Sequence, residues 1–76
     1  MSASAIKVQA IWDGEAEVWV AASDDVPGLV TEAATVEALI AKLRVLIPEL
    51  IEENDGPAPR DIPFDVVCSQ IAHAAE

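Results

Sequence analysis

A chain of 76 residues with 14 acidic side chains against four Lys and Arg carries a formal net charge of -10. That length holds one small domain, and that field repels a phosphate backbone, which argues against direct nucleic-acid binding by this chain. One cysteine, Cys68, and one histidine, His73, supply neither an internal disulfide nor the ligands of a zinc site.

From the N-terminus, Ile6, Val8, Ala10 and Trp12 alternate with Lys7, Gln9 and Ile11, the period of a half-buried strand. Asp13-Gly14 is a hairpin signal, and alternation resumes at Val18, Val20 and Ala22 with Trp19 and Ala21 on the opposite face. The pattern predicts an antiparallel hairpin of strands 5–12 and 17–23 around a loop from Asp13 to Ala16. Val26-Pro27-Gly28-Leu29 suits a type II turn, Pro27 fixing the first central φ and Gly28 permitting a positive second one. A short third strand is expected over Leu29 to Glu32.

Thr35 is a natural N-cap, and Glu37 sets a negative charge at the positive end of a helix dipole. Val36, Leu39, Ile40, Leu43, Leu46, Ile47, Leu50 and Ile51 follow in three- and four-residue steps, the stripe of an amphipathic helix. Pro48 has no amide to donate, which predicts a helix from Thr35 to Ile47, a kink or break, and a last turn or two reaching Glu53. A turn-rich linker, 54–59, follows. Ile62, Phe64, Val66 and Cys68 then alternate with Pro63, Asp65, Val67 and Ser69, a last strand expected to continue through Ile71. The single domain is expected over 5–72, with tails at 1–4 and 73–76.

The order ββ, short β, α, β implies an α+β fold. A right-handed crossover returns the last strand beside the first and parallel to it, in a four-stranded mixed sheet of order 3-2-1-4 with the helix on one face. A chain this short buries roughly 60% of its unfolded surface. Yet 53% of its residues are hydrophobic. One short helix cannot cover that much apolar surface, so self-association as a homodimer or larger oligomer is expected. The opposite sheet face, bearing Trp19, Ile11 and Val67, or the unpaired last strand, is where a second chain should dock. Of the two tryptophans, one is assigned to the core and Trp19 to the interface, where aromatic anchors concentrate. No apolar run reaches the length of a membrane span, and the N-terminus lacks a basic region followed by an apolar one. A lone cysteine and no export signal fit a reducing cytoplasm.

The strand Val18-Trp19-Val20-Ala21 followed by Asp25-Val26-Pro27-Gly28-Leu29 resembles the Pro-Asp-Leu-Pro-Gly segment of HicB-like antitoxins. Val30 to Thr35 is similar to their strand leading into a Thr-capped helix, and the resemblance runs from Ile6 to about Ile71. It is nearest a small bacterial group of uncharacterised proteins allied to that superfamily, marked by WD, VWVA, VPGL and LIPEL. The resemblance implies a partial ribonuclease-H-like fold without nuclease activity, and an oligomer that covers the active site of a small basic HicA-type RNA-cleaving toxin.

The residues themselves point away from catalysis. Asp24, Asp25 and Glu32 could be imagined as a metal cluster of the ribonuclease-H kind. Two-metal hydrolysis needs carboxylates converging on ions about 3.5–4 Å apart, whereas Asp in a turn serves as a local acceptor. His73 has no nucleophile or carboxylate arranged around it, and Cys68, on the apolar phase of its strand, reads as a small hydrophobe. The expectation is therefore a non-enzymatic, acidic protein-binding module with no catalytic, cofactor or metal site. Either it neutralises a basic toxin, or it is a self-associating interaction module with no toxin partner. Pro27, Gly28 and Thr35 are assigned structural roles.

Overall fold

A computed structural model describes residues 5–74; the expected tail at 1–4 and the last two residues of the 73–76 tail lie outside the described residues. Four strands and a helix follow one another: β1 (Ile6–Asp13), β2 (Val18–Ala22), β3 (Val30–Ala33), α1 (Val36–Asp55) and β4 (Phe64–Ser69). The sheet order is β3-β2-β1-β4. β1 is antiparallel to β2 and parallel to β4, and β3 is antiparallel to β2, the mixed α+β sheet that the element order implies.

The hairpin loop is Gly14 to Glu17, with Asp13 opposite Val18. Asp13 builds it: its Oδ1 accepts the amides of Glu15 at 3.0 Å and Ala16 at 3.3 Å, and its carbonyl accepts Glu17 N–H at 2.8 Å. The left-handed position falls on Glu17, at φ 58°, and not on Gly14. The Asp-Gly pair thus marks the turn but does not form a two-residue one.

β2 ends at Ala22, opposite Gln9, so the backbone of Lys7 has no strand partner there. Two side chains stand in for it. Asp25 Oδ2 accepts the Lys7 amide at 2.9 Å, and Ser23 Oγ donates to the Lys7 carbonyl at 2.6 Å while accepting the Asp25 amide at 3.1 Å. The turn that follows is the one the sequence implies, with Gly28 at φ 86° and Leu29 N–H bonded to the Val26 carbonyl at 3.1 Å. That bond ties Leu29 to the turn and starts β3 one residue later than expected, at Val30.

Thr35 caps α1, its Oγ1 accepting the Ala38 amide at 3.0 Å, with Glu37 in the first turn. The expected break after Ile47 does not occur. α1 continues through Pro48 to Asp55, where Gly56 at φ 90° closes it by donating to the Glu52 carbonyl at 3.2 Å. A proline ring removes one amide, the donor to the carbonyl four residues back at Arg44, but its fixed φ is a helical value. The stripe of Leu46, Leu50 and Ile51 packed against the core holds the last turns in line. Asn54 adds a tether, its Nδ2 donating to the Pro27 carbonyl at 3.3 Å.

The core is apolar throughout. Ala10, Ala21 and Ala33 present small side chains from the sheet, Leu39, Leu43 and Ile47 fill from the helix, and Val8, Val26 and Leu29 complete the cluster. Ile6, Ile62, Phe64 and Val66 pack at its margin, half-buried. Among the described residues no helix is long and apolar enough to cross a membrane. β4 stops at Ser69, opposite Ile11, so Ile71 is not a strand residue; it is 86% exposed. β1 itself continues through Trp12 to Asp13, but the pairing with β4 ends at Ile11.

Candidate functional site

Register decides which side chains share a face. Ala10 lies opposite Ala21, both fully buried, so the even-numbered residues of β1 and the odd-numbered ones of β2 point toward α1. Trp12 lies opposite Trp19, and Trp19 opposite Ala33. Both tryptophans are therefore on the helix side, half-buried and packed edge to face, their centroids 5.3 Å apart at 62°. The expectation that placed Trp19 on the uncovered face is corrected. The reason is parity: β2 is apolar on both phases, so its own alternation cannot say which phase faces inward. The four-residue loop and the buried Ala10–Ala21 pair decide it.

Ile11 and Val67 do lie on the uncovered face. Ile11 is opposite Val20, and Gln9 is flanked by Ala22 and Val67. Val30, opposite Ala22, joins them. These are large apolar side chains left in water: Ile11 is 62% exposed, Val30 69% and Val67 58%. Together with half-buried Val18 and Val20 they form an apolar band across all four strands. A shallow depression of about 670 Å³ sits within it, floored by Gln9, Ile11, Val20 and Ala22 and bounded by Trp12 and Asp13 at the end of β1 and Gly14 and Glu15 of the hairpin loop. The sequence singled out Ile11 and Val67; Val20 and Val30 complete the band, and it is the register of β1, β2 and β3 that places them there.

Charge rings this band. Asp13, Glu32 and Asp65 project from the same face, with Glu15 at the hairpin tip. Among the described residues Lys7 is the one cation of the face, and its Nζ lies 4.0 Å from Asp65 Oδ2 with both side chains in solvent, a pair that contributes little. The surface is an apolar centre within an acidic rim. That is the layout of a protein interface, where the centre is depleted in charge and the rim is polar.

The carboxylates considered as a metal cluster do not converge. Asp25 is committed to the Lys7 amide, and Glu32 lies on the uncovered face of β3. Among the described residues no group of three His, Cys, Asp or Glu side chains is placed to hold a metal ion. Cys68 is exposed on β4, and His73 is exposed beyond its end. Pro27 and Gly28 shape the turn and Thr35 the helix start, as described above.

Residues 5–75 match the family model described as a domain of unknown function, DUF1902. A solved structure, that of the hypothetical protein TTHA1013 from the extremely thermophilic bacterium Thermus thermophilus, is similar at 52% sequence identity and a TM-score of 0.71. The match covers 96% of this chain and 100% of that one. No curated protein matches the chain.

Proposed function

The chain belongs to the DUF1902 family, and from there we propose that it is a non-catalytic, antitoxin-like binding protein that covers the active site of a small basic RNA-cleaving toxin of the HicA type. One observation carries the reading: an uncovered sheet face with Ile11, Val30 and Val67 in solvent, rimmed by Asp13, Glu32 and Asp65, on a chain of net charge -10. An RNA-cleaving toxin must hold a polyanion, so its substrate groove is basic. An acidic-rimmed apolar face is complementary to such a groove. It speeds encounter through its field and excludes RNA by occupying the same cations. Burying a side chain such as Val or Ile contributes up to about 1.5–3 kcal/mol, so the band has enough apolar surface to hold a partner once charge has guided it there.

The test is co-expression with the product of the adjacent gene. Restored growth together with co-purification supports the proposal. A neighbour that is not toxic, or toxicity without binding or rescue, removes it.

A further inference from the structure

The two edges of the sheet are not equivalent. β3 is four residues long, and the carbonyl of Glu32 is taken by Lys42 Nζ at 2.6 Å, a charged side chain of the kind that blunts an edge against pairing. β4 is six residues long. Its outward groups follow from its register. Ile6 lies opposite Phe64 and donates its amide to the Pro63 carbonyl at 3.0 Å. In a parallel ladder the odd-numbered residues of β4 then face β1, and Phe64, Val66 and Cys68 turn their N–H and C=O outward. Among the described residues nothing bonds to them.

Beyond Asp65 the same stretch is unusual in charge. From Val66 through Ala74 there is no charged side chain, in a chain that carries 14 acids. Two copies at -10 each repel wherever their acidic surfaces meet, and this run is where they approach with least of that cost, Asp65 on the uncovered face being the one carboxylate of β4. It is also apolar in water: Val67 is 58% and Ile71 86% exposed.

We infer that two copies of this chain associate by antiparallel pairing of β4 with itself, forming one continuous eight-stranded sheet. The pairing is self-complementary, as a two-fold interface requires. Outward-facing even residues meet outward-facing even residues only when the axis passes at Val66 or Val67, if the strands are to overlap over most of their length. Phe64, Val66 and Cys68 then meet their counterparts on the helix side. Ile71 and the charge-free segment 70–74 run along the other copy's chain ahead of β4, beside the groove of about 380 Å³ that contains Ile62, Phe64 and Arg60. The uncovered faces of both copies remain open on one side of the joined sheet, so this association is independent of toxin neutralisation.

The experiment is sedimentation velocity on the full chain over a range of concentrations, with hydrogen exchange at the Phe64 and Val66 amides. The wild type is expected at twice its 8.0 kDa mass, with both amides protected. Cys68→Pro removes an outward N–H that the protomer does not use, and Cys68→Glu sets a charge against the second copy's Phe64 or Val66. Both should shift the mass to that of a single chain and release the two amides while circular dichroism stays native. Should Cys68→Pro fail to fold, Cys68→Glu at an exposed site still decides. A wild type that stays at 8.0 kDa, or a dimer that survives Cys68→Glu, overturns the inference.

Discussion

Replacing Pro48 by alanine should make the protein more stable. α1 runs unbroken from Val36 to Asp55, so position 48 is a helix interior and not a boundary. Proline there lacks the amide that would reach the Arg44 carbonyl, and a helix-interior proline costs about 3 kcal/mol relative to alanine. Against this stands the ring itself, which is half-buried beside Leu43, Ile47 and Phe64. Alanine loses two ring methylenes, worth about 0.8 kcal/mol each when fully buried, hence about 0.8 kcal/mol in all at half burial. The net gain is about 2 kcal/mol, a large share of the ~4–11 kcal/mol expected for a domain of this length. It corresponds to a rise in Tm of about 8–15 °C. Urea denaturation followed by the fluorescence of the Trp12–Trp19 pair measures it, with wild type and variant at one protein concentration because the proposed self-association would add to apparent stability. The midpoint should rise with an unchanged slope. A midpoint that stays put or falls would show that the ring's packing matches or outweighs the missing hydrogen bond, and would refute the account of α1 given above.

Glu17→Gly should stabilise by about 0.5–1 kcal/mol, since Glu17 sits at φ 58° where a side chain is strained and glycine is not; a thermal midpoint that falls contradicts this. Thr35→Ala should cost about 1 kcal/mol by leaving the Ala38 amide without its cap, while Thr35→Ser should restore most of it in the same denaturation assay. Ile11→Glu and Trp19→Ala should separate partner binding from stability. Ile11→Glu, on the uncovered face, should weaken binding of the proposed toxin partner at least about tenfold, ~1.4 kcal/mol, with little loss of stability. Trp19→Ala, on the helix side, should instead cost roughly 2 kcal/mol of stability by deleting half of the edge-to-face pair. The opposite pattern in calorimetry and denaturation would put the partner on the helix side.

Where local chemistry specifies structure, the sequence sufficed. Thr35, Glu37 and the spacing of Leu39, Leu43 and Ile47 place a helix start and its buried stripe, and both are found. Pro27-Gly28 requires a turn with a positive φ, and Gly28 has it. Strand order followed from handedness, given one helix between the third strand and the last. The misses fall where local preference competes with tertiary packing. Pro48 disfavours helix by itself, but Leu50 and Ile51 pack against the core and carry the helix past it. Ile71 has the right phase to extend β4, but the ladder ends at the Ile11–Ser69 pair although β1 continues to Asp13, and the alternation of the sequence does not mark that end.

The face of Trp19 could not be read from β2. Val18-Trp19-Val20-Ala21-Ala22 is apolar on both phases, so either can be buried without an obvious penalty in the strand itself. The phase is set one element earlier, by a loop in which Asp13 caps two amides and Glu17 takes the left-handed position. A hairpin one residue shorter or longer would exchange the phases, turning Val18 and Val20 toward α1 and the tryptophan into solvent. The observed parity puts small Ala21 beneath the helix and leaves Val20 beside Ile11. It therefore fixes both the close approach of α1 to the sheet and the apolar band on the other side. The loop, more than the strand, determines which surface is left uncovered.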